Sequence, residues 1–228
     1  MKYLVIPFLV SLLFIANSCQ NNKNNMVEKF DFKAYEERTK NNSFDERAYT
    51  KEDGTIVEES DGNTPTIWET PPKPTFVKIY KEFYKNGKLK KQFTLMGERL
   101  KIDTSVYYGI FGCKIVVDEN KKFGKIKPND ILKFLEDKGR INLQTGEGVF
   151  DWKGGFAFRI VYQKNKNIWY ITIPEGRLYT PDEMHIIMST LPFGEPNEWK
   201  SFEYAIDGTT GELISSNEDE ILKIGMKI

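Results

Sequence analysis

Two runs of alternating apolar and charged residues, 76–84 and 89–95, meet at Asn86-Gly87. Asn-Gly between such runs is the strongest local hairpin signal, because a two-residue type I′ turn needs positive φ at both central positions. That turn fixes a register in which Tyr84 faces Leu89, Glu82 faces Lys91 and Tyr80 faces Phe93. The other face of the hairpin then presents Lys81, Phe83, Lys85, Lys88, Lys90 and Gln92, a basic surface expected to be mostly wet. A second antiparallel pair is expected from 105–108 and 113–117, with a turn at 118–120. The middle of the chain therefore reads as antiparallel β-structure.

After residue 127 the period changes. Pro128 suits a first helical turn, Ile131, Leu132, Phe134 and Leu135 form one apolar stripe, and Gly139 fits the position just past the helix end. Runs 156–163 and 168–174 alternate as a hairpin, Thr180 with Glu183 makes a capping box for a helix over 181–190, and 202–206 reads as a further strand. Asp207 is expected to accept backbone N–H bonds in the turn that follows, with Gly208 and Gly211 at positive φ. Upstream, 27–74 is mostly charged and polar; 30–35 suits the start of a short helix or strand and 55–59, after Asp53-Gly54, one arm of a hairpin, while the region as a whole is expected to be a loosely structured arm that ends in an extended linker at Pro71, Pro72 and Pro74. The fold class expected is α+β, with an antiparallel hairpin layer over 75–120 and a small helix-plus-antiparallel-sheet domain over 121–228.

Two resemblances sharpen that division. The run 82–90, Glu-Phe-Tyr-Lys-Asn-Gly-Lys-Leu-Lys, resembles the MORN-type repeat found in antitoxin-like bacterial proteins; only one clean copy is present, so a solenoid of several units is not expected. The run 204–214, with its Asp-x-x-Thr-Gly turn after one helix and a hairpin, resembles the closing strand of PepSY-like domains. That resemblance implies a small secreted α+β domain with a binding or inhibitory role, interrupted here by an insertion over 177–200.

The N-terminus reads as an address. Lys2 precedes an apolar run over 4–16, too short to span a hydrocarbon core of roughly 30 Å and suited to a secretory signal. Ala16-Asn17-Ser18-Cys19 resembles the bacterial lipobox, which implies cleavage before Cys19 and acylation, palmitate included, of that residue. Several acyl chains hold a protein on a membrane stably, at about 0.8 kcal/mol for each buried methylene. Residues 20–25 carry no apolar side chain and read as a tether. They also lack the acidic cluster that accompanies surface export in the Bacteroidota lipoproteins this chain resembles, so the periplasmic face of the outer membrane is the expected location.

Charge and composition exclude more than they assign. Lys plus Arg and Asp plus Glu both number 33, which argues against a dedicated nucleic-acid binder. The neutral sum hides its parts, since residues 75–127 hold 13 basic and 5 acidic side chains while the flanking segments are acidic. One histidine and two cysteines leave no cluster for a metal site, and no cofactor is expected. His185 stands without a nucleophile signature, Cys113 reads as a small buried apolar residue, and carboxylates such as Asp151 or Glu175 have no hydrolase motif around them. The function expected is non-enzymatic: a lipid-anchored envelope protein that binds a protein or peptide, as an inhibitor or immunity factor, through Lys81, Phe83, Lys85, Lys88 and Lys90. The alternative is a structural subunit of an envelope complex.

Overall fold

The computed structural model describes residues 28–40, 48–190 and 194–218. Eleven strands and three α-helices follow one another in these segments. Strands β1 (Ala48–Thr50), β2 (Ile56–Ser60), β3 (Thr66–Thr70), β4 (Lys78–Phe83), β5 (Leu89–Met96), β6 (Leu100–Tyr108) and β7 (Lys114–Asp118) form a single antiparallel sheet in which every strand pairs with its neighbour in sequence. Strands β8 (Arg159–Gln163), β9 (Ile168–Leu178), β10 (Trp199–Asp207) and β11 (Leu213–Ser216) form a second antiparallel sheet in the order β11-β10-β9-β8. The α+β class holds, with all sheet pairing local in sequence.

The segment expected to be a loose arm is part of the larger sheet. Val57 and Ile67 alternate inward on β2 and β3, and helix α1 (Phe32–Thr39) lays Tyr35 on them beside Phe30 and Phe83. Asp31 starts that helix by accepting from the Ala34 N–H at 3.0 Å. The proline run expected as a linker is the loop joining β3 to β4, and those strands pair from Thr66–Glu82 to Glu69–Ile79. The hairpin arm expected over 55–59 is β2 and the short element expected from 30–35 is α1, whereas β3 is hidden in the sequence because Thr66, Glu69 and Thr70 dilute its apolar alternation.

The Asn86-Gly87 turn also differs from expectation. The Gly87 N–H donates to the Tyr84 carbonyl at 2.8 Å, and of the turn residues only Gly87 has positive φ, at 80°. This is a three-residue loop of type I followed by a left-handed glycine. It moves the pairing by one, so Phe83 and not Tyr84 faces Leu89. An irregularity between Glu82 and Phe83 then reverses the shift, and Glu82–Lys91 and Tyr80–Phe93 pair as expected. A side chain at Gly87 would in addition press on the Phe30 carbonyl at 3.1 Å, where residues 28–30 bridge to 87–89 as a short extra strand.

Helix α2 (Pro128–Asp137) buries Ile131, Leu132 and Leu135 in one core with Ile160, Trp169, Ile171 and Tyr204 of the second sheet and with Phe158, which precedes β8. Met96, Leu100 and Ile102 of β5 and β6 belong to this same core, so the larger sheet and the C-terminal unit share buried surface across residue 120. Glu218 ties the end of α2 to the second sheet through Lys138 at 2.9 Å and through Arg140. The expected Asp207 turn is present, accepting from the Thr209 and Thr210 N–H groups at 2.7 and 2.8 Å, with Gly211 at φ 80°. Gly208 has no positive φ; it is required because Asn167 packs directly on it, and the Gly208 N–H donates to the Asn167 backbone carbonyl at 2.7 Å. Helix α3 (Pro181–Thr190) fills the insertion over 177–200, while Leu178 and Trp199 keep β9 and β10 paired beneath it.

Trp169 is fully buried between Phe123 and Tyr162, with ring centroids at 5.0 and 4.8 Å. Trp169→Ala is expected to lower unfolding free energy by about 3–5 kcal/mol, the range for deleting a buried large aromatic, as read by urea denaturation. At the α3 start, the Arg177 guanidinium and the Thr180 N–H hold the Glu183 carboxyl at about 2. A carboxyl depressed on folding stabilises above its ordinary value near 4.5 and loses that contribution as pH falls towards 2. The melting-temperature gap between wild type and Glu183→Gln is therefore expected to close between those pH values.

Candidate binding surface

The five side chains expected to make a basic binding face do not share one. Phe83 is 1% exposed in the core beneath α1. Lys81 is 7% exposed and bonds Glu28 at 2.8 Å and Glu69 at 3.1 Å, while Lys51 reaches the other oxygen of Glu69 at 2.6 Å. Burial pushes the Glu69 carboxyl up, and the two ammonium groups more than reverse it, leaving it below its ordinary value. Lys90 is committed to Glu82 at 2.7 Å, a carboxylate also held by Lys91 at 2.5 Å. Only Lys85 and Lys88 of the five stand exposed. The physical reason for Lys81 and Phe83 is that residues 28–40 and 48–70 cover the face the isolated hairpin leaves wet and bring Glu28 and Glu69 with them, while Lys90 is taken up by Glu82 of the hairpin itself.

On the opposite face, Trp68, Tyr80 and Phe93 line up across three strands, Trp68 tilted against Tyr80 at a centroid separation of 4.7 Å and Tyr80 stacked on Phe93 at 4.9 Å. Lys101 lies over the Phe93 ring at 4.3 Å and donates to the Tyr107 hydroxyl at 2.8 Å. Burial and the hydrogen bond to Glu82 push the Tyr80 hydroxyl up to about 12, so it stays a donor through the physiological range. This ladder is half-buried and internally satisfied.

A cavity of about 510 Å³ opens at the end of the sheet, lined by Lys29, Tyr84, Lys88, Leu89, Tyr108 and Phe111 among others. Its walls come from the bridge at 28–30, the 84–88 turn and the turn joining β6 to β7. In that last turn the Gly112 N–H donates to the Gly109 carbonyl at 2.8 Å, which holds Ile110 and Phe111 outward. Phe111 is 93% exposed and Ile110 64%. Isolated exposed apolar residues are ordinary, but two adjacent ones beside an apolar cavity rimmed by lysines make this tip the candidate contact surface. Lys29, Ile110 and Phe111 were not singled out from the sequence; the available signal was Ile-Phe set between Gly109 and Gly112, a turn too tight to bury both.

The described residues weighed for chemistry form no catalytic arrangement with one another that any contact in the structure records. His185 is exposed on α3. Asp151 and Glu175 line a second cavity of about 350 Å³, but the Asp151 carboxylate is taken up in its own loop, accepting from the Lys153 and Gly155 N–H groups at 2.9 and 2.8 Å. Among the described residues no group of three or more His, Cys, Asp or Glu is placed to hold a metal ion. Cys113, expected buried, is half-buried and disulfide-bonded. Cys19, the acylation site implied by the lipobox resemblance, lies outside the described residues. Among the described residues no helix is long and apolar enough to cross a membrane. The chain matches no family model, no curated protein and no solved structure.

Removing Lys81 leaves Glu28 without its lysine partner and Glu69 with Lys51 alone. Breaking a buried pair by deleting one partner costs roughly 3–5 kcal/mol, so Lys81→Ala is expected to destabilise the fold by that order in denaturant titration. Lys88→Ala, at an exposed site, is expected to stay within about 0.5 kcal/mol of wild type.

Proposed function

We propose that the mature chain is a lipid-anchored, non-enzymatic protein of the bacterial envelope that binds a protein or peptide partner, acting as an inhibitor or immunity factor. The observation that carries the binding reading is the cavity at the sheet end, apolar inside, rimmed by Lys29 and Lys88 and flanked by the exposed Phe111. A partner suited to it presents an apolar side chain for the cavity and carboxylates for the two lysines. Aromatic and cationic groups around an apolar depression are the usual anchors of such contacts. The binding surface proposed is thus the tip around Lys88 and Lys85, and Lys81, Phe83 and Lys90 serve to build the sheet beneath it.

The MORN-type and PepSY-like resemblances favour the same class of role, and the lipobox resemblance favours acylation of Cys19 and the periplasmic face of the outer membrane. A thioether on the Cys19 sulfur excludes a disulfide through that same sulfur, so the anchored form requires Cys113 to be bonded otherwise or reduced.

Two measurements on the full chain in cells test the reading. A photo-crosslinking residue at position 111 is expected to give one dominant adduct, diminished at least tenfold when Lys29 and Lys88 are changed to Glu. Adducts that persist unchanged in that double variant, or none at all, sink the proposed surface. Labelled palmitate is expected on the wild type and absent from Cys19→Ala, which leaves the membrane fraction. Membrane retention of Cys19→Ala overturns the anchor.

A further inference from the structure

Strand β7 closes one side of the seven-stranded sheet, and among the described residues only β6 pairs with it. All five of its residues are exposed, with Ile115 at 53% and Val116 at 57%. Its pairing to β6 runs from Tyr108–Lys114 to Thr104–Asp118 without a register shift. Proteins blunt such edges with a proline, a bulge or a charge inside the strand, because unpaired backbone groups template pairing with another chain. β7 has none of these devices, and its two charges stand only at its ends.

Those charges are of opposite sign and the strand is self-complementary. Two copies paired antiparallel about Val116 place Val116 across from Val116, Ile115 across from Val117, and Lys114 across from Asp118 at both ends of the seam. Opposite charges directly across an antiparallel pair stabilise it, as do facing β-branched residues. No other register of the strand on itself matches both charges. We propose that two copies of this chain associate through β7 about a two-fold axis, joining their sheets into one of fourteen strands. The interface is isologous, as closed dimers require. The 109–112 turns fall at opposite ends of the seam, so the cavities beside them remain open. A five-residue seam buries less than the roughly 1,000 Å² of a stable complex, so the dimer is concentration-dependent, and attachment of both copies to one membrane favours it.

The inference stands on residues other than those of the proposed partner surface, and each can fail alone. Sedimentation velocity of the full chain in detergent, over about 1–500 μM to cover the weak range of such seams, is expected to show a monomer–dimer equilibrium. Lys114→Asp and Asp118→Lys are each expected to weaken it at least tenfold, since each sets like charges across both ends. The double variant K114D/D118K restores opposite charges across the seam and is expected to recover dimerisation. A monomeric wild type across the range, single variants that associate like wild type, or a double variant that stays monomeric overturns the proposal. Circular dichroism melting of each variant separates loss of association from loss of fold.

Discussion

The buried ammonium of Lys81 is the point on which the larger sheet depends. A lysine inside a protein is tolerated only where carboxylates compensate its lost hydration. Here the compensation comes from Glu69 on the adjacent strand and Glu28 at the start of the described chain, with Lys51 balancing the second oxygen of Glu69. Those three partners lie in segments that a hairpin on its own does not contain. Burying Lys81 thus requires the covering segment, and the covering segment is what places α1 over Phe83 and converts a two-sided hairpin into a sheet with an inside.

The same dependence explains why the strands around the Asn-Gly turn were legible and the face was not. Turn chemistry and alternation are local, and they located β4, β5 and β7 to within two residues but only the last four residues of β6. The register from Glu82 outward also came out, although for a reason the sequence does not display: a three-residue loop shifts the pairing and a bulge beside Lys90 shifts it back. Which side of the hairpin is wet is a non-local question. Val57-Glu58-Glu59 and Ile67-Trp68-Glu69 alternate correctly for strands, yet their inward carboxylates read as solvent-facing until Lys81 is set against Glu69 and Arg38 of α1 against Glu59. In the C-terminal half, helix caps and turns carried enough information to place α2, α3 and the Asp207 turn. They did not show that Met96, Leu100 and Ile102 enter the same core, because that contact is set by tertiary packing.

Of the candidate site, the sequence reading retained Lys85 and Lys88 and missed the cavity they adjoin. Periodicity identifies residues that share a face of one element, whereas this cavity is built where three separate segments end together. Only the Gly-Ile-Phe-Gly turn carried a local sign, a pair of apolar side chains in a loop with no room to hide them. An opening of this kind is a by-product of meander topology: every strand pairs with its sequence neighbour, so the hairpin turns and the bridge at 28–30 collect at the sheet end.

The distribution of charge follows from that topology. Residues 75–127 have a basic excess and residues 20–74 an acidic one, and folding sets them against each other, with Lys78 on Glu58 at 3.6 Å and Lys81 on Glu28 and Glu69. Within the basic block itself, Lys90 and Lys91 share Glu82, and Lys122 takes Glu119 at 3.0 Å. The charge that looked available over the whole hairpin is largely spent on holding the sheet together. Among the described residues, exposed lysines outside these pairs include Lys29, Lys85, Lys88 and Lys114, beside the 28–30 bridge and the 84–88 and 109–112 turns. Exposed charges a Debye length of roughly 8–10 Å or more apart are screened from one another, so a few lysines gathered at one end define a more selective field than a dozen spread along a strand.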